Sequence, residues 1–203
     1  MHACGHDGHT TILLAAARYL AETRKFSGTF RAIFQPSEEG GAGARAMIGD
    51  GLFDRFPVDA VFGLHNWPGV PTGQFGFRSG PTMASVDLVI IRVIGKGGHG
   101  AKPAQAVDPV VAAASLVLAL QTVVSRNIDP LETAVVTVGT INGGIAANVI
   151  PDSVELKLTV RTFNEAVREQ IKARIIALAE AQAASYGARV EISYPRGYST
   201  LIN

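Results

Sequence analysis

From residue 80 onward the chain divides itself into six segments in the order strand, helix, strand, strand, helix, strand, and few folds accept that order. Residues 85–94 read as a strand. Asp108 followed by Pro109 supplies an N-cap and a first-turn proline for a helix running to Arg126. Residues 133–142 and 153–163 read as two further strands. Asn164 caps a second helix that carries Val167, Ile171, Ile175 and Leu178 on one face and ends at Gly187, and residues 189–194 form a last strand. The expectation is a ferredoxin-like α+β domain, with two helices covering one face of an antiparallel sheet.

The glycine- and proline-rich stretch from Pro68 to Pro81 separates this unit from a different pattern before it. Residues 10–24 place Ile12, Leu13, Ala16 and Leu20 on one helical face, with Gly28 closing the segment. Residues 28–35 and 58–65 read as strands, the second a short apolar run of the kind found in buried parallel sheets, and residues 41–51 suggest a helix between them. Strand, helix and strand point to an α/β layer with His65 and the Glu38–Glu39 pair at its strand ends. The expected division is therefore 1–79, 80–195 and a final segment 196–203.

Two small domains suit 203 residues. With 47% hydrophobic and 17% charged residues the chain has the composition of a folded globular protein. Eighteen basic and 17 acidic residues leave a net charge of +1, so nothing in the charge balance marks a partner such as nucleic acid or an anionic membrane. A small molecule is the expected partner. A single cysteine, Cys4, excludes an internal disulfide. No signal-peptide pattern opens the sequence and no apolar run is expected to reach the length needed to span a bilayer, so a cytoplasmic location is the expectation.

Chemistry concentrates in three places. Cys4, His6 and His9 fall within six residues, and thiolate and neutral imidazole are ligands for zinc and its first-row neighbours. Taken alone, the cluster reads equally as a metal site or as a buried thiol beside histidines that cap the next helix, although Gly5 and Gly8 permit the tight turns that convergence needs. In Gln35-Pro36-Ser37-Glu38-Glu39-Gly40-Gly41 two adjacent carboxylates precede a glycine-rich turn. They suit either a solvated helix start or a metal ligand next to a general base. His65 ends an apolar run just before Asn66-Trp67-Pro68, where α/β proteins put site residues and where a lone histidine also serves as core.

Together these pieces resemble the aminoacylase and hippurate hydrolase family of metal-dependent amidohydrolases, relatives of carboxypeptidase G that include the indoleacetyl-amino acid hydrolases. The resemblance rests on MHACGHDGHT (1–10), QPSEEGGAGA (35–44), GLHNWP (63–68), GKGGHGAKP (95–103), VDPV (107–110) and NVIPD (148–152). It implies part of a zinc-peptidase-like α/β catalytic domain with an inserted ferredoxin-like lid and dimerisation domain. It also implies hydrolysis of the amide bond of N-acyl amino acids by a metal-bridged water, with two divalent ions that could be zinc, manganese, cobalt or nickel. Residue by residue, it makes Cys4, His6, Glu39 and His65 metal ligands and Glu38 the general base. Asp7 and His9 would hold ligands in orientation. His99 would support the oxyanion in the partner subunit of a homodimer formed through the lid, Asn148 would lie near the substrate carboxylate, and Arg161 would be a cation for it; for Arg161 a plain surface role is an equal alternative. The family pattern has further segments before residue 1 and after residue 203, so the expectation is a central portion of the catalytic domain beside a complete lid. The alternative function is a non-catalytic portion that only dimerises.

Overall fold

The computed structural model describes residues 2–203, which form two compact units, one ending at Gly76 and one starting at Phe77. In the first unit, α1 (His6–Thr23), α2 (Glu38–Gly41), α3 (Gly43–Gly49) and α4 (Leu52–Arg55) are joined by extended chain. Helix α1 starts four residues before its expected start, because Gly5 adopts the left-handed conformation (φ 75°) and accepts a hydrogen bond from the His9 N–H at 3.3 Å. His6 and His9 are thereby inside the helix rather than ahead of it. At its other end Arg24, also left-handed (φ 49°), donates its N–H to the Leu20 carbonyl, so the helix stops before Gly28.

The strands expected at 28–35 and 58–65 are not formed: among the described residues of this unit no ladder exists. Apolar side chains that a parallel strand would bury stay in solvent, Phe62 at 93% and Val61 at 62% exposure. A strand of this type is stable only between neighbours that satisfy its backbone and cover its faces. Arg31 Nε donates to the carbonyl of Pro57, just ahead of the second segment, at 3.3 Å.

The second unit holds β1 (Pro81–Met83), β2 (Ser85–Ile94), β3 (Gly98–His99), α5 (Pro109–Asn127), β4 (Ala134–Asn142), β5 (Val149–Ile150), β6 (Ser153–Thr162), α6 (Glu165–Ser185), β7 (Arg189–Ser193) and β8 (Leu201–Ile202). Its main sheet has the order β4-β6-β2-β7, every pair antiparallel, which is the ferredoxin-like arrangement expected from the element order. The ten-residue register of β2 on β6, from Ser85↔Thr162 to Ile94↔Ser153, is unbroken. It phases Val89, Ile91 and Val93 with Leu156, Leu158 and Val160 on one face, where α5 contributes Leu116 and Leu120 and α6 contributes Ile171 and Ile175. Each such side chain contributes about 1.5–3 kcal/mol on burial. Both helix starts are capped as their sequences predict. Asp108 accepts from Val110 N at 2.8 Å and Asn164 from Ala166 N at 2.9 Å, interactions worth about 1 kcal/mol each.

Helix α5 corrects one expectation. It is long and apolar enough to cross a membrane by length and composition alone. In this fold Ala112, Ala113, Leu116, Leu120 and Val123 instead pack into the core.

One core position carries charge. Asp87 lies in the buried phase of β2, and Arg168 of α6 meets it with Nε to Oδ2 at 2.8 Å and Nη2 to Oδ1 at 2.5 Å. Gly197 N–H donates to the same carboxylate at 2.8 Å and so ties the segment after β7 to the sheet. Burial pushes the Asp87 carboxyl up, but the Arg168 and Gly197 hydrogen bonds and the guanidinium charge together hold it below the usual carboxylate range. A lowered folded value means that the pair stabilises the fold fully above the unfolded aspartate pKa of about 3.9 and progressively less as pH falls through the folded value. Arg168→Ala strands a buried carboxylate and is expected to cost roughly 3–5 kcal/mol at neutral pH. Denaturant titrations of both chains at several pH values check this: a loss below 1 kcal/mol, or an unaltered acid limb, would contradict it.

Candidate metal centre

The first unit brings Cys4, His6, Glu38, Glu39 and His65 together from three separate stretches of chain. Gly5 turns the backbone so that half-buried Cys4 precedes the helix while His6 opens it. The left-handed φ of residue 5 favours glycine, and a Cβ there would stand 2.9 Å from the Asn66 side chain, which would have to shift. The carboxylates reach the cluster by a different device. Ser37 and Ala42 are both left-handed (φ 49° and 50°), and inside α2 Glu39 (ψ 73°) and Gly40 (φ 89°) leave helical geometry. Two sequence neighbours in a regular helix would diverge by about 100°; here both approach His6 Nε2, Glu38 Oε2 at 3.7 Å and Glu39 Oε1 at 3.9 Å. The glycines of this motif are packing requirements, since a Cβ on Gly41 or Gly43 would collide with Ser37 or with the Pro36 carbonyl.

Two triads result, Cys4–His6–His65 and His6–Glu38–Glu39, and within each the candidate ligand atoms lie within 4.8 Å of one another. Bond lengths of about 2.3 Å to sulfur and 2.0–2.1 Å to nitrogen put two ligands of a tetrahedral zinc roughly 3.6 Å apart. The Cys4 Sγ to His65 Nε2 distance is 3.6 Å. His65 donates from Nδ1 to the Asn66 carbonyl at 2.6 Å, which leaves its Nε2 lone pair directed at Cys4. The donor set therefore fits a borderline divalent ion at the sulfur side and a harder environment at the carboxylates. His6 is the common corner of the two triads.

His9 belongs to the same cluster, its ring centroid 4.6 Å from that of His65 and 5.4 Å from that of His6. It is not one of the ligands, because its Nε2 is turned to Asn66, 3.0 Å from the backbone nitrogen and 2.5 Å from Oδ1. Asn66 was legible in sequence only as part of the GLHNWP motif. Asp7 sits in the first turn of α1 and accepts from Thr11 through its backbone carbonyl; its carboxylate makes no hydrogen bond to a ligand among the described residues.

The remaining expected site residues lie in the second unit. The β3–β5 ribbon pairs His99 with Val149, and Gly100 N–H donates to the Asn148 carbonyl at 2.8 Å, so His99 and Asn148 are adjacent. The glycines of GKGGHGAKP make this possible: a Cβ on Gly95 would stand 2.1 Å from the Val107 carbonyl, and one on Gly100 would press on the Asn148 backbone. His99 Nδ1 accepts from Ala101 N–H at 3.1 Å, which puts the ring proton on Nε2 and makes it an outward donor. Arg161 is exposed on β6, opposite Val86 and Val135 and on the face away from the helices, and it pairs with no acidic side chain among the described residues.

The model for peptidase family M20/M25/M40 matches residues 1–202. The chain is 47% identical to an N-acetyl-L-cysteine deacetylase of Bacillus subtilis over 204 residues, covering all of this chain and 49% of that protein. It is 47% identical to the hippurate hydrolase of Campylobacter jejuni over 193 residues, covering 95% and 50%. Among solved structures it is similar to the YXEP protein of Bacillus subtilis, described as a dinuclear metal binding peptidase from the M20 family, with TM-score 0.75 and 38% identity over 100% of this chain and 51% of the other. The chain thus spans about half the length of the curated relatives it matches.

Gly5→Ala tests the construction of the cluster. A side chain there meets Asn66 and forces an L-residue into left-handed geometry, which alone costs roughly 1–2 kcal/mol. Cys4 and His6 should separate and divalent-ion affinity should drop at least tenfold by direct titration, whereas an alanine variant with unchanged affinity would show that the turn does not set the ligands.

Proposed function

We propose that this chain, which belongs to peptidase family M20/M25/M40, is the metal-binding part of a dinuclear amidohydrolase that cleaves N-acyl amino acids. The observation that carries the reading is the pair of ligand triads meeting at His6. Names of the relatives, a deacetylase of N-acetyl-L-cysteine and a hydrolase of hippurate, support an acylated amino acid as substrate. The description of a similar structure as dinuclear supports two ions.

Cys4, His6, Glu39 and His65 are the proposed ligands. Ions held there would supply Lewis acidity, polarising the scissile carbonyl and acidifying a bound water. Glu38 is the proposed general base. Its carboxylate stands beside His6 yet is half exposed, so it can take a proton from the attacking water and return it to the leaving amine nitrogen. His99, with its Nε2 proton outward, is the proposed oxyanion donor for the active site of a partner subunit, in a homodimer formed through a ferredoxin-like lid. Asn148, adjacent to His99, and Arg161 are the proposed contacts of the substrate carboxylate.

The two carboxylates should separate cleanly under mutation. Glu38→Gln should abolish hydrolysis of N-acetyl or N-benzoyl amino acids with metal content retained, while Glu39→Gln should lose metal; equal metal content in both would end this assignment. His99→Ala should retain metal and lower turnover by roughly 100- to 1,000-fold. Unchanged turnover removes His99 from the mechanism. Each measurement pairs elemental analysis with amine release on the same preparation.

A further inference from the structure

Three imidazoles crowd one end of α1, yet only two of them present a nitrogen to the other ligands. The third, His9, is committed to Asn66, and Asn66 is committed to almost everything around it. Its backbone nitrogen and its Oδ1 stand 3.0 and 2.5 Å from His9 Nε2, and the tautomer of His9 decides whether that nitrogen accepts from the N–H or donates to the oxygen. Its carbonyl accepts the His65 Nδ1 proton at 2.6 Å. Its side-chain amide also fills the space that a Cβ on Gly5 would occupy. On the other flank of His65 stands Trp67, edge-on with ring centroids 6.4 Å apart.

We infer that Asn66 and His9 form the positioning pair of this metal centre, with His9 anchoring the Asn66 peptide to α1 so that the Asn66 carbonyl fixes the tautomer and aim of His65. The inference rests on the metal reading proposed above and extends it from the ligands to what orients them. Its physical content is connectivity. Cys4 and His6 are carried by the Gly5 turn and α1, whereas His65 arrives on a segment with no ladder partner among the described residues. Side-chain contacts must therefore hold the two parts in register, and the His9–Asn66 contact joins them at the point where Cys4 Sγ meets His65 Nε2. A histidine ligand held through its second nitrogen is oriented and more basic than a free one, and loss of such support typically weakens metal binding about 10- to 100-fold.

The test uses the whole chain, stripped of metal and titrated with Co2+, whose ligand-field spectrum reports coordination geometry. Asn66→Ala removes the Oδ1 contact to His9 Nε2, and His9→Ala removes both that contact and the one to the Asn66 backbone N–H. Both should lower Co2+ affinity about 10- to 100-fold and alter the spectrum, with the circular dichroism of the metal-free chain unchanged. Affinity and spectrum equal to those of the unmodified chain in either variant would overturn the inference. So would an affinity loss that accompanies a changed metal-free dichroism, since that marks a general folding role. An unmodified chain that takes up no Co2+ would overturn the metal reading itself, a result distinct from failure of the pair alone.

Discussion

Gly5 holds φ at 75° with its open side against the Asn66 amide, and the thiol and imidazole side of the ligand cluster depends on that contact. Left-handed backbone at residue 5 lets α1 begin at His6, which puts His6 and His9 three residues apart on one helical face and leaves Cys4 on the turn before it. Because residue 5 lacks a side chain, the segment carrying His65 and Asn66 can approach the helix start closely. One conformational choice thus brings thiol and imidazole donors from positions 61 residues apart to 3.6 Å. The carboxylate side repeats the strategy with left-handed Ser37 and Ala42, trading helical regularity for two neighbouring oxygens that face one histidine. Local backbone cost of this kind is characteristic of sites where geometry matters more than local stability.

The second unit is built on other terms. Its order comes from a continuous antiparallel ladder and an apolar layer under two capped helices, so it needs no ligand to define it. In that layer the Asp87 carboxylate takes hydrogen bonds from Arg168 and from the Gly197 N–H. The return of the chain along Val86↔Tyr198 and β1–β8 is thereby fixed to the sheet. A rigid frame of this sort suits the short β3–β5 ribbon, whose glycines pack backbone against backbone and hold the His99 ring by its Nδ1.

Much of this was legible in the sequence where the controlling interaction is local. Asp108, Pro109 and Asn164 announce their helices because a cap acts within three residues, and the β2, β4, β6 and β7 strands fall within a residue or two of their expected limits. Residues 28–35 and 58–65 have strand composition but no strand, because a ladder is a property of partners and not of one segment. The start of α1 was misplaced because periodicity sees apolar residues, while the helix start is set by Gly5 and by polar residues that carry no such signal. Asp87 did carry one, being an acid in the buried phase of an alternating strand. Its partner 81 residues away could not be read from spacing. Motifs alone single out Cys4, His6, Glu39 and His65 as candidate ligands, whereas the contacts of Asn66 depend on atoms that meet only after folding.

The contrast between the two units bears on how binding and order are coupled. Among the described residues before Phe77 only Gly43 is buried, so apolar burial contributes little to holding Cys4, His65 and the two glutamates where they are. A cluster held by hydrogen bonds at its edges, with 54% and 73% of its two carboxylate side chains exposed, gains much of its rigidity when an ion replaces mutual repulsion with shared attraction. Any ion that binds the assembled ligands and not the separated ones stabilises this arrangement in proportion to the logarithm of its concentration over Kd. On the proposed reading, the polar contacts around Asn66 would set the geometry an ion meets, and its binding would supply the free energy that keeps it. The second unit has that free energy from its core, and its one buried ion pair is compensated within itself, Arg168 and the Gly197 N–H meeting the Asp87 carboxylate.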